Sequence, residues 1–319
     1  ASGPFDWLGE SRLAPPQAPD ALLARPRLET ALDRAFATHP LTLLPAPAGY
    51  GKTTLLAASA HRASQGARRT AWLSLEEADN DPAHFLAGLL AALQRVSLRC
   101  GALAQALSDG LSPPGVDARR LIAMLINDIL VAFPEPFVLI LDDLHFLTEP
   151  AIHIALDYLL NHLPPQARLL VGTRHDPPWS LARLRARGCL AEFRASDLRF
   201  TLDEATELLN RRLGLGLADD DVAALYARTE GWPVGLAVSL ERIPDLAGRA
   251  AFVRDPAQTD RYVFDFLAEE VLERQEPAVR TFLLETAILN ELTPARCQAV
   301  TGRADAGKML EELYHRNLF

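Results

Sequence analysis

Between residues 41 and 195 the chain repeats one pattern: a short apolar run, then a longer segment with helical spacing. The runs are LTLLPA (41–46), TAWLSL (70–75), FVLILDD (137–143), ARLLVGTR (167–174) and LAEFRA (190–195). Helical spacing intervenes at about 52–64, 82–94, 116–132, 151–162 and 179–186. Strands that are apolar throughout are covered on both faces, and strands that alternate with helices pair in parallel. The pattern predicts an α/β domain whose parallel sheet carries its ligand site at the carboxyl ends of the strands.

The first run leads into APAGYGKTT (46–54), and LLAASAHR follows. Gly51, Lys52 and Thr53 meet the phosphate-loop spacing G-x-x-x-x-G-K-[ST], with Ala46 in place of the first glycine. In such a loop the backbone N–H groups of residues 49–53 wrap the phosphates, and the helix opening near Lys52 turns its positive dipole end toward them. Ala48, Gly49, Tyr50, Gly51, Lys52, Thr53 and Thr54 are therefore the candidate nucleotide-binding residues. Lys52 reaches the β and γ oxygens, Thr53 places its hydroxyl on Mg²⁺, and Gly49 and Gly51 allow backbone angles that a Cβ would forbid. The competing reading is a glycine-rich turn with no ligand. Lysine usage bears on the choice: of 32 basic residues only Lys52 and Lys308 are lysines. A compact ammonium among phosphates is not replaceable by a planar guanidinium.

A phosphate loop needs a metal carboxylate, and FVLILDDLH supplies Asp142 at the end of a buried strand. Asp143 stands where many related ATPases carry a water-orienting Glu, and its shorter side chain predicts slow hydrolysis. A solvated Asp-Asp turn is the alternative. At the end of LLVGTRHDPP, Thr173 and Arg174 are expected beside Asp142, and Arg174 is the candidate contact for a γ-phosphate. An ordinary surface arginine competes with that reading, and His175 is incidental.

At 319 residues the chain suggests two or three domains. A net charge of −9 argues against direct nucleic-acid binding by this stretch, and LARLRARG (181–188) reads as one solvated helix face. Cys100, Cys189 and Cys297 form no disulfide or zinc pattern, so a cytoplasmic setting is expected. No run is long enough to span a bilayer, and the leading Ala-Ser-Gly reads as a cloning remnant rather than a signal peptide. Residues 1–24 are proline-rich and expected to wrap the surface of the domain that begins after them.

Beyond about 198, helices dominate. TLDEATELLNRRL (201–213) opens with a capping box, Thr201 capping and Glu204 three residues on. DDDVAALYARTEG and GWPVGLAVSLERI read as helices meeting at Gly231, Trp232 and Pro233, with further helices at about 260–274, 277–289 and 304–316. On its own chemistry Gly-Trp-Pro is a helix-entry turn with a core Trp232.

In order, LLARPRL (22–28), APAGYGKTTL (46–55), LILDDLH (139–145), LLVGTR (169–174), GWPVGL (231–236) and LEELYHRNLF (310–319) resemble the MalT-like, LuxR-type ATP-dependent transcriptional activators. These are STAND-class P-loop NTPases, relatives of the NB-ARC ATPases. The resemblance implies a nucleotide-binding domain with its N-terminal arm (1–198), a helical domain (199–256) and a winged-helix domain (257–319), the last expected to be truncated. It tolerates Ala46, places Arg25, Pro26 and Arg27 on the adenine pocket, and makes Pro233 a contact of the bound nucleotide. His315 is not given the phosphate-sensing role of the family's winged-helix histidine. The resemblance further implies an ATP/ADP switch that hydrolyses slowly, with ADP closed and ATP assembly-competent. It responds to a small-molecule or protein inducer, and the longer protein carries C-terminal sensor and helix-turn-helix DNA-binding domains. A P-loop ATPase or kinase acting as an enzyme proper is the other reading.

Overall fold

The computed structural model describes residues 9–17, 23–66, 68–97, 118–236, 245–255, 275–315 and scattered positions from 257 to 273. The chain divides into two compact units, one of Ala1–Pro45 with Lys52–Asp197, the other of Ala46–Gly51 with Leu198–Phe319.

The first unit is a five-stranded sheet in the order β2-β3-β4-β1-β5. Its strands are β1 (Leu41–Pro45), β2 (Arg69–Ser74), β3 (Phe137–Asp142), β4 (Ala167–Thr173) and β5 (Leu190–Glu192), and every pairing is parallel. Helices α1 (Pro26–Thr38), α2 (Lys52–Gln65), α3 (Pro82–Gln94), α4 (Ala118–Ala132), α5 (Pro150–Asn161) and α6 (Leu181–Ala186) connect and flank them. All residues of β1 and β3 are buried, as the unbroken apolar runs required. Leu43, Leu139 and Val171 of the sheet share one core with Phe85 and Leu89 of α3, Leu125 of α4 and Leu156 of α5. Registers such as Leu141↔Val171 and Pro45↔Thr173 set the ends of β3, β4 and β1 side by side. The carboxyl edge of the sheet therefore gathers Pro45, Asp142 and Thr173, the last residues of three strands.

The N-terminal arm contributes a single turn at Glu10–Leu13. Arg12 donates its Nε to the Ser74 carbonyl at 3.2 Å and pairs with Glu76 at 2.9 Å and with Asp79. Asp79 is fully buried and also accepts the Glu76 N–H at 2.8 Å, so this arm is fixed to the end of β2 by buried charge. In α6, Leu181 and Leu184 face the core while Arg185 pairs with Glu192 at 2.6 Å.

Helices at Pro26–Thr38, Leu246–Arg254 and Pro294–Thr301 were not expected, and two expected elements take another form. The run 190–195 is a strand only to Glu192, because the chain enters a short helix, α7, at Ala195–Leu198. The helix expected over 201–213 opens on the Thr201–Glu204 capping box but widens into a π-helical turn over Glu207–Arg212 after α8 (Leu202–Thr206). Asn210 explains the widening: its side chain donates to the Leu217 carbonyl at 3.0 Å and accepts the Leu217 N–H at 2.7 Å, drawing the returning chain against it.

In the second unit α9 (Asp219–Thr229) ends in left-handed Glu230 and Gly231, at φ 49° and 71°, before a helical turn at 233–236. After α10 (Leu246–Arg254), three helices, α11 (Pro277–Thr286), α12 (Pro294–Thr301) and α13 (Ala306–His315), close around Phe282, Cys297, Met309 and Leu313. The helix expected over 260–274 and Cys100 fall largely or wholly outside the described residues.

Candidate phosphate-binding site

Lys52 and Thr53 form the first turn of α2, and Asp142 is the last residue of β3. Asp142 is 1% exposed, accepts the Asp143 N–H at 3.0 Å and is hydrogen-bonded by the Thr53 side chain. Beneath it the backbone of β4 leaves no spare volume: a Cβ at Gly172 would meet the Asp142 carboxylate at 2.6 Å and Leu56 at 2.8 Å. This carboxylate is thus aimed by packing, not by chance.

The charges are held where water is scarce. Burial, reinforced by the neighbouring Asp143, raises the Asp142 pKa to about 6. Burial also lowers Lys52 to about 8, with Asp143 and Asp142 opposing the shift and Arg174 adding to it. Asp143 is likewise raised, chiefly by burial, against the pull of Lys52 and Arg174. Lys52, Asp142, Asp143 and Arg174 therefore form one electrostatically coupled group at the strand ends. A site that keeps two carboxylic acids and two cations close without full solvation is prepared for a highly charged ligand.

Asp143 adopts the left-handed region at φ 59°, unusual for a residue other than glycine. Its carboxylate lies 3.7 Å from His145 Nδ1, and the His145 ring makes an edge contact with His175 at 6.4 Å. Thr173 is buried and donates its hydroxyl to the His175 carbonyl at 2.9 Å. His175, incidental to the sequence reading, thus belongs to the scaffold of this edge.

Within the second unit, the loop takes positive φ at Gly49 and Gly51, 78° and 72°. Ala46 is fully buried. The indole N–H of Trp232 donates to the Ala48 carbonyl at 3.4 Å, the Val234 N–H donates to the Gly49 carbonyl at 3.1 Å, and the Tyr50 side chain is hydrogen-bonded to Arg199. Pro233 is buried between these donors in sequence, and Thr54 is exposed. Sequence reasoning missed Val234 and Arg199, and took Trp232 only for a core residue; no local pattern marks a partner so far along the chain.

Arg25, Pro26 and Arg27 stand at the head of α1, where the Arg25 N–H donates to Glu29 at 3.2 Å and Arg27 to the Asp197 carbonyl at 3.0 Å.

Among the described residues no group of three or more His, Cys, Asp or Glu could hold a metal. The pair of Thr53 hydroxyl and Asp142 carboxylate fits Mg²⁺, a hard ion that takes few protein oxygens and fills its other positions with water and phosphate. Among the described residues no helix is long and apolar enough to cross a membrane.

The MalT winged helix domain family matches residues 268–319. The HTH-type transcriptional regulator MalT of Yersinia enterocolitica is 32% identical over 311 residues, 97% of this chain and 34% of that protein. The serine/threonine-protein kinase PknK of Mycobacterium tuberculosis is 32% identical over 299 residues, 94% of this chain and 27% of that protein. The chain spans about a third of the length of the curated relatives it matches. Among solved structures, a Walker-type ATPase of Pyrococcus abyssi superposes with a TM-score of 0.61 at 17% identity, over 96% of this chain and 93% of that one. A Signal Transduction ATPase with Numerous Domains (STAND) protein from Pyrococcus horikoshii gives 0.51 at 16% identity, over 95% and 40%. The fold is thus that of a P-loop NTPase, with a winged-helix segment at its end.

Proposed function

We propose that the chain, similar to the MalT-type regulators along 97% of its own length, is an adenine-nucleotide switch. The observation that carries the reading is the Thr53–Asp142 hydrogen bond, with buried Lys52 in the same charged group. Lys52 binds the β and γ phosphates, Thr53 and Asp142 hold Mg²⁺, and Ala48 to Thr54 wrap the phosphates. Arg174 reports the γ-phosphate, while Arg25, Pro26, Arg27 and Pro233 bind the adenine side. A nucleotide domain (1–198), a helical domain (199–256) and a winged-helix domain (257–319) enclose ADP in a closed state. ATP and an inducer favour a state that self-assembles, in the cytoplasm, and hydrolysis at Asp143 resets it.

A switch changes population only as far as its ligands distinguish the two states, so Arg174 carries the discrimination. Much the same stretch recurs in a transcriptional regulator and in a protein kinase, which fits a control module better than an enzyme with its own substrate. The Asp143–His145 approach, 3.7 Å, favours the second reading, an ATPase proper, because it sets a second proton-transfer group beside the candidate water-orienting acid.

The deciding experiment identifies the nucleotide released by acid from the purified protein and measures its turnover of Mg-ATP. Retained ADP with turnover far below about 10 s⁻¹, the ordinary enzyme value, supports the switch. An empty site with rapid turnover overturns it. Lys52→Ala removes nucleotide binding if the phosphate loop is assigned correctly.

A further inference from the structure

A phosphate loop works through its backbone N–H groups, so its carbonyls must be held away from the ligand. Across a planar trans peptide, the N–H of one residue points opposite to the carbonyl before it. The Trp232 hydrogen bond to the Ala48 carbonyl, 3.4 Å, therefore also sets the direction of the Gly49 N–H. The Val234 N–H on the Gly49 carbonyl, 3.1 Å, does the same for the Tyr50 N–H. Both belong to the donors that the loop would turn on phosphate.

The clamp has no slack. At Gly49, with φ 78°, a Cβ would come within 2.9 Å of Val234 and 3.0 Å of the Trp232 ring. Arg199, bonded to the Tyr50 side chain, is anchored in turn by Glu230 at 2.8 Å. The Gly-Trp-Pro turn is fastened from behind, where the Phe200 N–H donates to the Gly231 carbonyl at 2.7 Å. Gly231 sits at φ 71° with no room for a Cβ against the Phe200 carbonyl. Three separate ties thus run from residues 48–50 to the segment 199–234.

We propose that Trp232 is a positioning residue of the nucleotide site: it orients the loop's phosphate donors and passes the loop's occupancy to the segment 198–236. The proposal rests on the phosphate-loop reading and assigns Trp232 a role that a core residue does not have.

The test uses protein labelled with 5-fluorotryptophan. Of its four tryptophans, Trp232 is identified by the fluorine resonance that Trp232→Phe removes. Titration with ADP is expected to shift that resonance along the binding curve. Trp232→Phe, which keeps a ring and loses the N–H, is expected to bind ADP about three- to tenfold more weakly when titrated well below its melting temperature, as loss of one hydrogen bond would give. Arg199→Met, at a side chain 41% exposed, tests the Tyr50 tie without disturbing the core and is expected to weaken ADP in the same direction. A Trp232 resonance unmoved at saturating ADP overturns the proposal, as does wild-type ADP affinity in both variants. A Lys52→Ala protein that still binds ADP would strike down the phosphate-loop reading itself, and the proposal with it.

Discussion

Gly172 lies so close under Asp142 that a β-carbon there would stand 2.6 Å from the carboxylate. Gly172→Ala must therefore displace Asp142, Leu56 or the β4 backbone. Overpacking of this kind costs about 1–3 kcal/mol, read as a lower denaturation midpoint. The sharper readout is functional. Added Mg²⁺ should strengthen nucleotide binding in the wild-type protein and do so far less in the variant, measured by titration with and without the ion.

Asp142 is also a stability liability in the metal-free protein. Its folded pKa of about 6 lies above the ordinary 3.8, so the folded state holds the proton more tightly than the unfolded state. Stability from this group is fullest below about pH 4, falls as pH rises to 6 and stays reduced above. Asp142→Asn should accordingly match wild type near pH 4 and exceed it at pH 7, by up to about 3 kcal/mol from a shift of this size. Equal differences at both pH values would contradict the assignment of burial as the cause.

Arg174, just past the end of β4, weighs on both Lys52 at the start of α2 and Asp143 just past β3. Arg174→Ala should reduce affinity for a non-hydrolysable ATP analogue about tenfold or more while leaving ADP within about twofold, the scale of a charged hydrogen bond lost. Equal losses for the two nucleotides would remove its role as the γ-phosphate contact.

Arg12 holds the fully buried Asp79. Removing one partner strands a buried charge, so Arg12→Met should cost about 3 kcal/mol by chemical denaturation. The Glu76 arm of the same guanidinium, on a side chain 52% exposed, adds little. Arg12→Met with Asp79→Asn should recover part of the loss; no recovery would mean that Arg12 acts by packing alone.

The parts of the fold legible in the sequence are those set by short-range physics. Leu41–Pro45 and Phe137–Asp142 announce themselves because strands covered on both faces must be apolar throughout. The places of Lys52 and Thr53 at a helix start and of Asp142 at a strand end are legible because the spacing pattern ties them to those ends. The Thr201 cap is visible for the same reason: its partner Glu204 is three residues away. The π-helical turn at Glu207–Arg212 hides in a sequence of ordinary helical periodicity, since its cause is Asn210 holding Leu217. Left-handed Asp143 and the Arg12–Asp79 pair depend on the assembled fold, and no window of neighbouring residues encodes them.

The loop at 46–51 is completed by a residue 184 positions further along the chain. At about 5–20 residues per second, the pace of translation, that separation amounts to some tens of seconds between the loop leaving the ribosome and the arrival of Trp232. Late in that interval, once Glu192 has been made, a nascent chain has all five strands of the sheet but a loop without its Trp232 tie. On the proposed reading, competence for nucleotide would come last, and an interrupted product that ends before Trp232 would keep the phosphate-loop sequence without the tie that aims its donors.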